Sequence, residues 1–398
     1  MTQTNPAFDA MLTGVARFVR GEAIPRENEV ERTDEVPPDL VERMRKLGYF
    51  GWSIPREYGG AGLTTEQLVR GAMALSQASV AFRARVGTNT GIGSEALVAD
   101  GTPEQKRRYL PGLASGALTG AFALTEPDAG SDATALSTLA HREGDDYILD
   151  GDKCFITNAP IADLFTVMAR TDPSKPGASG ISAFLVERSM PGIATSAPYE
   201  KMGQAGSPVG DVHLRGCRVP AANLIGGVEG QGFRTAMKVL NKQRIHLAAL
   251  CTGPAIRMLE EAVAYTLQRE QFGRPVAEFQ LVQALIAESQ TDIFAARSMI
   301  LAAARKRDAG EDVAMEASMC KMFASEMCGR VADRAVQMLG GRGYLLGNAV
   351  ERFYRDVRAF RIYEGTTQIH QLNIAKITLR RAAQMPQNRV GDEAARAA

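Results

Sequence analysis

The chain has no excess of charge of either sign: 46 Lys and Arg stand against 45 Asp and Glu, a formal net charge of +1. A nucleic-acid or anionic-membrane partner ordinarily leaves a basic excess, so neither is expected. No apolar run reaches the ~18 residues of a membrane span. The opening MTQTNPAFDA lacks the charged-then-apolar layout of a signal peptide, and no Arg- and Ser-rich transit leader is visible. The expected compartment is bacterial cytoplasm, with a mitochondrial matrix after processing as the alternative. Cysteine is scarce, five in an odd set with no CxxC pair, which speaks against a disulfide framework or a zinc site and fits a reducing compartment. The four histidines are scattered without ligand spacing, so no metal is expected. A dinucleotide fingerprint is missing too. The nearest pattern, Gly340-Gly341-Arg342-Gly343, follows a helical stretch instead of an early strand.

What is present is 398 residues of ordinary globular composition, 45% apolar and 23% charged. That is enough for two or three subdomains and an enclosed cofactor. Residues 1–118 read as helical. VPPDLVERMRKLGYFG opens on prolines and stops at Gly48. Thr64 and Gln67 form a candidate capping box, and GTPEQKRRYLPGLASG is a shorter helix closed by Pro and Gly. Residues 119–226 change to β-rich runs, read as a small antiparallel β domain. DDYILDGDKCFIT reads as two strands about an Asp150-Gly151 hairpin turn, and VGDVHLRGCRVP as a last strand pair. Residues 227–385 return to helices. Phe233, Met237, Leu240, Arg244, Leu247 and Cys251 share one helical face. A second helix runs through Val282, Ile293 and Ile300, and a third spans 313–339. Residues 386–398 read as a polar tail, expected to be flexible.

Four segments carry chemistry together: FALTEPDAGSD (122–132), FITNA (155–159), REQFG with Gln280 (269–280), and QMLGGRGY…YEGTTQI (337–369). In this order and spacing the chain resembles the acyl-CoA dehydrogenases, short- and medium-chain-like, over roughly residues 37–380. The resemblance implies a mainly α fold with a central β domain: an N-terminal helical domain, an antiparallel β barrel or sandwich, and a C-terminal four-helix bundle. It implies FAD at the junction of the domains and at a subunit interface. The implied reaction is α,β-dehydrogenation of an acyl-CoA thioester to the trans-2-enoyl-CoA, as in fatty-acid β-oxidation. The resemblance also implies that electrons pass to electron-transfer flavoprotein and that the enzyme is a homotetramer built as a dimer of dimers.

That reaction removes a weakly acidic α-proton, so it needs a positioned base. No side chain accepts hydride, so it needs a redox cofactor. The thioester oxygen needs hydrogen-bond donors. Glu364, in Tyr363-Glu364-Gly365, falls on the family's catalytic base; an apolar slot would raise its pKa by desolvation. Its backbone N–H and a flavin ribityl hydroxyl would hold the thioester oxygen, with Tyr363 and Gly365 beside the substrate. A subgroup similar to isovaleryl-CoA dehydrogenase carries its base just before Arg244. That position is Gln243 here, which is no base. The resemblance further places Phe122, Leu124, Thr125 and Ser131 along the flavin, with Ser131 also reaching the pantetheine arm. It places Phe155 (often Trp in the family) and Thr157 on the flavin's other side. Arg269, Gln271, Phe272, Gln337 and Gly341 would reach a neighbouring subunit's FAD, and Thr366 and Gln368 make further FAD contacts. Arg244 would support the thioester arm, with Asn241 where the family often has Asp.

Arg83 and Arg85 interrupt a small, apolar run over 80–95 that would floor the acyl pocket. Arg83 falls on the position whose arginine binds the distal carboxylate in glutaryl-CoA dehydrogenase. A dicarboxylyl-CoA substrate, with or without decarboxylation, is therefore an alternative, and an oxygen-using acyl-CoA oxidase is another.

Overall fold

The computed structural model describes residues 5–384; the tail expected at 386–398 lies outside the described residues. The N-terminal part holds α1 (Pro6–Phe18), α2 (Glu27–Thr33), α3 (Pro38–Lys46), α4 (Thr65–Leu75), α5 (Val80–Gly87), α6 (Glu95–Asp100) and α7 (Pro103–Ser115). Its punctuation follows the sequence. Gly48 adopts φ 72 just past α3, and Thr64 and Gln67 exchange both bonds of a capping box at α4. Thr102 and Gln105 form a second box at α7. Pro111 does not close α7 but lies inside its last turns; Gly116, at φ 76, ends it. Trp52 is buried in this domain's core with Phe18, Tyr49 and Phe82.

The β domain is β1 (Gly120–Ala123), β2 (Leu139–Glu143), β3 (Asp146–Thr157), β4 (Leu164–Arg170), β5 (Ile181–Glu187), β6 (Ile193–Thr195) and β7 (Val209–Pro220). They form one seven-stranded sheet in the order β1-β4-β2-β3-β7-β6, with β5 also on β4. Two readings are corrected here. The sheet is mixed, not antiparallel: β1 and β2 both run parallel to β4. Long excursions between those strands permit the crossovers that parallel pairing requires. Asp150-Gly151 is not a hairpin turn either. β3 passes straight through it, and the turn to β2 falls at Gly144, φ 63. Gly151 sits where the register against β7 shifts, and a Cβ there would lie 2.3 Å from the Thr138 hydroxyl. It is a bulge glycine. The expected last strand pair is the single strand β7, antiparallel to β3.

The C-terminal part holds α8 (Gly232–Gln268), the two-residue strands β8 (Glu270–Gln271) and β9 (Arg274–Pro275), α9 (Gln280–Asp308), α10 (Ala314–Leu339), α11 (Ala349–Asp356) and α12 (Thr367–Ala383). α8, α9 and α10 bury a common core of Ile245, Met258, Ile293, Ile300, Met327 and Val331, among others. The N-terminal half of α8 instead turns its stripe of Phe233, Met237, Leu240, Arg244 and Leu247 towards a cavity between the three parts. Among the described residues no helix is long and apolar enough to cross a membrane.

Candidate active site

The cavity encloses about 1020 Å³, the size of a generous cofactor-and-substrate site. α5 supplies Val80, Arg83 and Gly87; the β domain supplies Phe122, Leu124, Thr125, Ser131, Phe155 and Thr157. α8 supplies Asn241, Gln243 and Arg244 besides its apolar stripe, and Tyr363, Glu364 and Gly365 close it from the turn before α12. Every residue expected at the substrate is therefore brought to one cavity, together with the six expected along the flavin from the β domain.

Glu364 sits on a tight turn. Its φ is 55 and that of Gly365 is 92. Thr366 caps α12 immediately afterwards, its hydroxyl accepting from the Ile369 N–H at 3.3 Å. A Cβ on Gly365 would lie 3.0 Å from Nε2 of the buried His370, so both the backbone conformation and the space demand glycine. One carboxylate oxygen of Glu364 is buried without a hydrogen-bond partner. Burial raises the carboxyl above its ordinary 4.5, against the opposing pull of Lys321, Arg83 and Arg244. An unpaired, proton-hungry carboxylate beside an apolar cavity can abstract a weakly acidic proton.

The cations around it are held differently. Arg244 donates from Nη1 to the neutral amide oxygen Oδ1 of Asn241 at 2.9 Å, where a carboxylate would have made an ion pair. Arg83 is buried, not solvent-facing. Its Nη2 lies 3.1 Å from Nδ1 of His246, its Nε has no partner, and burial lowers its pKa to about 10. It hydrogen-bonds to no carboxylate among the described residues. Burial and the charge of Arg83 hold His246 far below its ordinary 6.5, so it stays neutral. Gln243 stands 3.2 Å from the same ring. Arg85, by contrast, points away from the cavity, to the Thr119 hydroxyl at 3.2 Å and over the ring of Phe50.

The remaining expected residues are elsewhere. Arg269, Gln271 and Phe272 lie on the β8–β9 hairpin, whose tip leaves Phe272 94% exposed. Gln337 and Gly341 are exposed at the end of α10, Gln368 is exposed on α12, and neither Thr366 nor Gln368 lines the cavity. Within a single chain these seven do not meet the cavity group.

Two features went unseen in the sequence. Lys321, on α10, lies fully buried behind the Glu364 turn. Its signal was a lysine on the apolar 317–321–324–328 stripe of a helix. The other is backbone strain. Phe155, Gln204, Phe272 and Glu364 all have positive φ, uncommon for side chains of this size. Three of the four line the cavity. Gln204 is fixed there by its backbone N–H, which donates to the Asp356 carboxylate; burial pushes that carboxyl up to about 7. Such strain concentrates at functional sites.

Comparison with known proteins agrees with this geometry. Three family models match in order: acyl-CoA dehydrogenase, N-terminal domain, over 5–117; middle domain, over 121–217; and C-terminal domain, over 230–379. A 3-(aryl)acrylate reductase of Clostridium sporogenes is 43% identical over 91% of this chain and 96% of its own. Butyryl-CoA dehydrogenase of Megasphaera elsdenii superposes with a TM-score of 0.92 at 32% identity, over 96% of this chain and all of that one. A chain in the solved structure of the electron-transferring flavoprotein of Acidaminococcus fermentans, described towards a mechanism of flavin-based electron bifurcation, does so with a TM-score of 0.92 at 36% identity, over 96% of this chain and all of that one. The family's members bind FAD, and the cavity suits it: Phe155, 67% exposed, lines it together with Phe122, Leu124 and Thr125. The chain belongs to the acyl-CoA dehydrogenases, FAD-dependent oxidoreductases.

Proposed function

We propose that the protein dehydrogenates an acyl-CoA thioester between Cα and Cβ, giving the trans-2-enoyl-CoA, with Glu364 as the base that takes the α-proton. The observation that carries this is the unpartnered Glu364 carboxylate oxygen, on a strained turn at the cavity wall. FAD, when bound, supplies the two-electron acceptor that no side chain provides. The chain's own groups do the rest. Phe122, Leu124, Thr125 and Ser131 bind along one side of the cofactor, and Phe155 and Thr157 on the other. The Glu364 backbone N–H holds the thioester oxygen, with Tyr363 and Gly365 beside it, and Arg244 with Asn241 supports the thioester arm. The apolar stripe of α8 keeps water from the reacting carbons.

The exposed group of Arg269, Gln271, Phe272, Gln337 and Gly341 serves the FAD of a neighbouring subunit in a homotetramer, with Thr366 and Gln368 near the same shared site. The protruding, strained Phe272 supports this. Electron-transfer flavoprotein is the proposed acceptor, supported by the similarity to the Acidaminococcus structure, and the cytoplasm is the proposed compartment. The similarity to a reductase is compatible with the same site run in reverse, Glu364 returning the proton.

The test is the visible spectrum of purified protein and its anaerobic bleaching by a panel of acyl-CoAs. Wild type should bleach; Glu364→Gln should keep its flavin and lose turnover by about 10²–10⁴-fold, the worth of a general base. Substantial residual turnover in that variant would sink the assignment.

One observation favours a second reading of the substrate. Arg83 is a buried guanidinium facing the cavity with an unpartnered Nε and no carboxylate hydrogen-bonded to it among the described residues. A substrate with a distal carboxylate, such as glutaryl-CoA, would supply the missing anion. Arg83→Met should then lower turnover of glutaryl-CoA relative to butyryl-CoA; an unchanged ratio assigns Arg83 to the fold.

A further inference from the structure

We propose that Lys321 is a positioning residue for the reaction: it grips the turn that carries Glu364 and supplies the positive charge that keeps the carboxylate ready to take a proton. This rests on Glu364 being the base. Lys321 lies on α10 among Ala317, Ala324 and Cys328, all buried, and is itself 0% exposed. Its Nζ donates to the Gly365 carbonyl oxygen at 2.5 Å. It forms no salt bridge among the described residues. A lysine sealed from water without an acidic partner is a cost that folding alone does not require.

The turn explains where that cost is recovered. Glu364 and Gly365 take successive left-handed conformations, and a glutamate holds that shape only when its surroundings fix it. α10 fixes it at two points. Lys321 holds the Gly365 carbonyl through a charge-assisted bond. Five residues on, Glu326 accepts from the Thr367 hydroxyl at 2.7 Å and pairs with Arg361 at 3.1 Å.

The charge acts on the carboxylate as well. The groups facing Glu364 are Arg83 from α5, Arg244 and Cys251 from α8, Lys321 from α10, the adjoining Tyr363, and His370 from α12. Burial keeps the Cys251 thiol and the Tyr363 phenol protonated. It pushes His370 down to about 3, so that ring is neutral. Only the three cations oppose the desolvation of Glu364, and Lys321 leads them. Burial lowers the pKa of Lys321 in turn, and the charge of Glu364 supports it. Arg244 is tied to Asn241 and Arg83 to His246, which leaves Lys321 as the cation bonded to the turn itself.

The experiment compares holoenzymes carrying Lys321→Met and Lys321→Arg with wild type, in flavin content, in kcat against pH, and in the pH titration of the Glu364 carboxyl by infrared difference spectroscopy against Glu364→Gln. A base must be ionised, so the rate falls on the acid side of its pKa. Loss of a neighbouring positive charge raises that pKa by about one unit or more. Lys321→Met should therefore move both the acid limb and the infrared midpoint up by about one pH unit, with a lower plateau. Lys321→Arg keeps the charge and should leave the limb in place with a reduced plateau. A flavin-replete Met variant with both midpoints unmoved overturns the proposal. Should the Met variant not fold, the Arg variant decides: a displaced limb overturns the proposal, and an unmoved one supports it. A fully active Glu364→Gln enzyme would instead remove the base reading itself, a different failure.

Discussion

Lys153→Met should strip the cavity of its β-domain wall, and the size of the effect follows from one buried pair. The Lys153 ammonium stands 2.7 Å from the Glu126 carboxylate, with side chains 0% and 3% exposed. Glu126 also accepts from the Ser137 N–H at 2.6 Å, the Ser137 hydroxyl at 2.7 Å and the Thr138 N–H at 3.0 Å. Lys153 donates to the Leu124 carbonyl at 3.3 Å, and so reaches the cavity wall. The variant leaves a carboxylate buried without its counter-charge, which costs about 3–5 kcal/mol. The pKa of Glu126 shows that the carboxylate depends on this pairing, while burial pulls the Lys153 ammonium down to about 8. Burial pushes the Glu126 carboxyl up, but the charge and hydrogen bonds of Lys153 and the loop outweigh that and bring it to about 2 from an ordinary 4.5. The sign is that of a depressed acid: the contribution is complete above pH 4.5 and fades as the pH falls towards 2. Urea unfolding at pH 7 and flavin retained through gel filtration are the assays. The expected result is a loss of about 3 kcal/mol or more with reduced flavin, and a gap to wild type that narrows from pH 5 downwards. A variant within about 1 kcal/mol of wild type at pH 7, or a gap independent of pH, would refute the reasoning.

Three further outcomes follow from the site. Because burial raises the Glu364 carboxyl, the native state binds its proton more tightly than the unfolded chain, and ionisation costs stability above that pKa. Glu364→Gln should thus melt above wild type at pH 7 to 8, with the difference vanishing below about pH 4.5, as read by thermal melts across pH. Gly365→Ala meets both φ 92 and His370 at 3.0 Å; it should lose about 1–3 kcal/mol of stability and at least tenfold in kcat, and an enzyme of normal rate would mean the turn is unstrained. Phe272→Gly relieves a left-handed phenylalanine at φ 51, so the free energy of unfolding should hold or rise by about 1 kcal/mol. Flavin retention and the sedimentation of the oligomer should both fall if the hairpin reaches a neighbouring subunit.

The site was legible in the sequence where the chemistry travels with a local pattern. The α8 stripe from Phe233 to Leu247 was read from spacing alone, and it forms a cavity wall, because a helix presents every third and fourth residue to one side. Strand direction was not legible. Alternation of side chains is the same in parallel and antiparallel ladders, so β1 and β2 gave no sign of running parallel to β4. Asp150-Gly151 satisfies a turn and a bulge equally, and only packing against Thr138 decides between them. The burial of Arg83 was likewise undecided by its own helix. It depends on Gly87 one turn on, where a Cβ would lie 1.5 Å from the guanidinium. An arginine four residues before a glycine was the available clue.

What was least legible is the backbone conformation of several residues placed at or near the candidate site. Phe155, Gln204, Phe272 and Glu364 take a conformation that local preference assigns to glycine or asparagine. Two of them are held by distant parts of the chain: Gln204 by Asp356, and the Glu364 turn by Lys321. A sequence specifies a fold through agreement between local preference and global packing, so a site that needs a carboxylate or an aromatic ring where glycine would fit best must be paid for by that packing. Local rules give way at these positions, as they do where a site competes with local preference. A bulky residue in left-handed backbone beside a cavity is thus a mark of function that becomes visible only once the chain is folded.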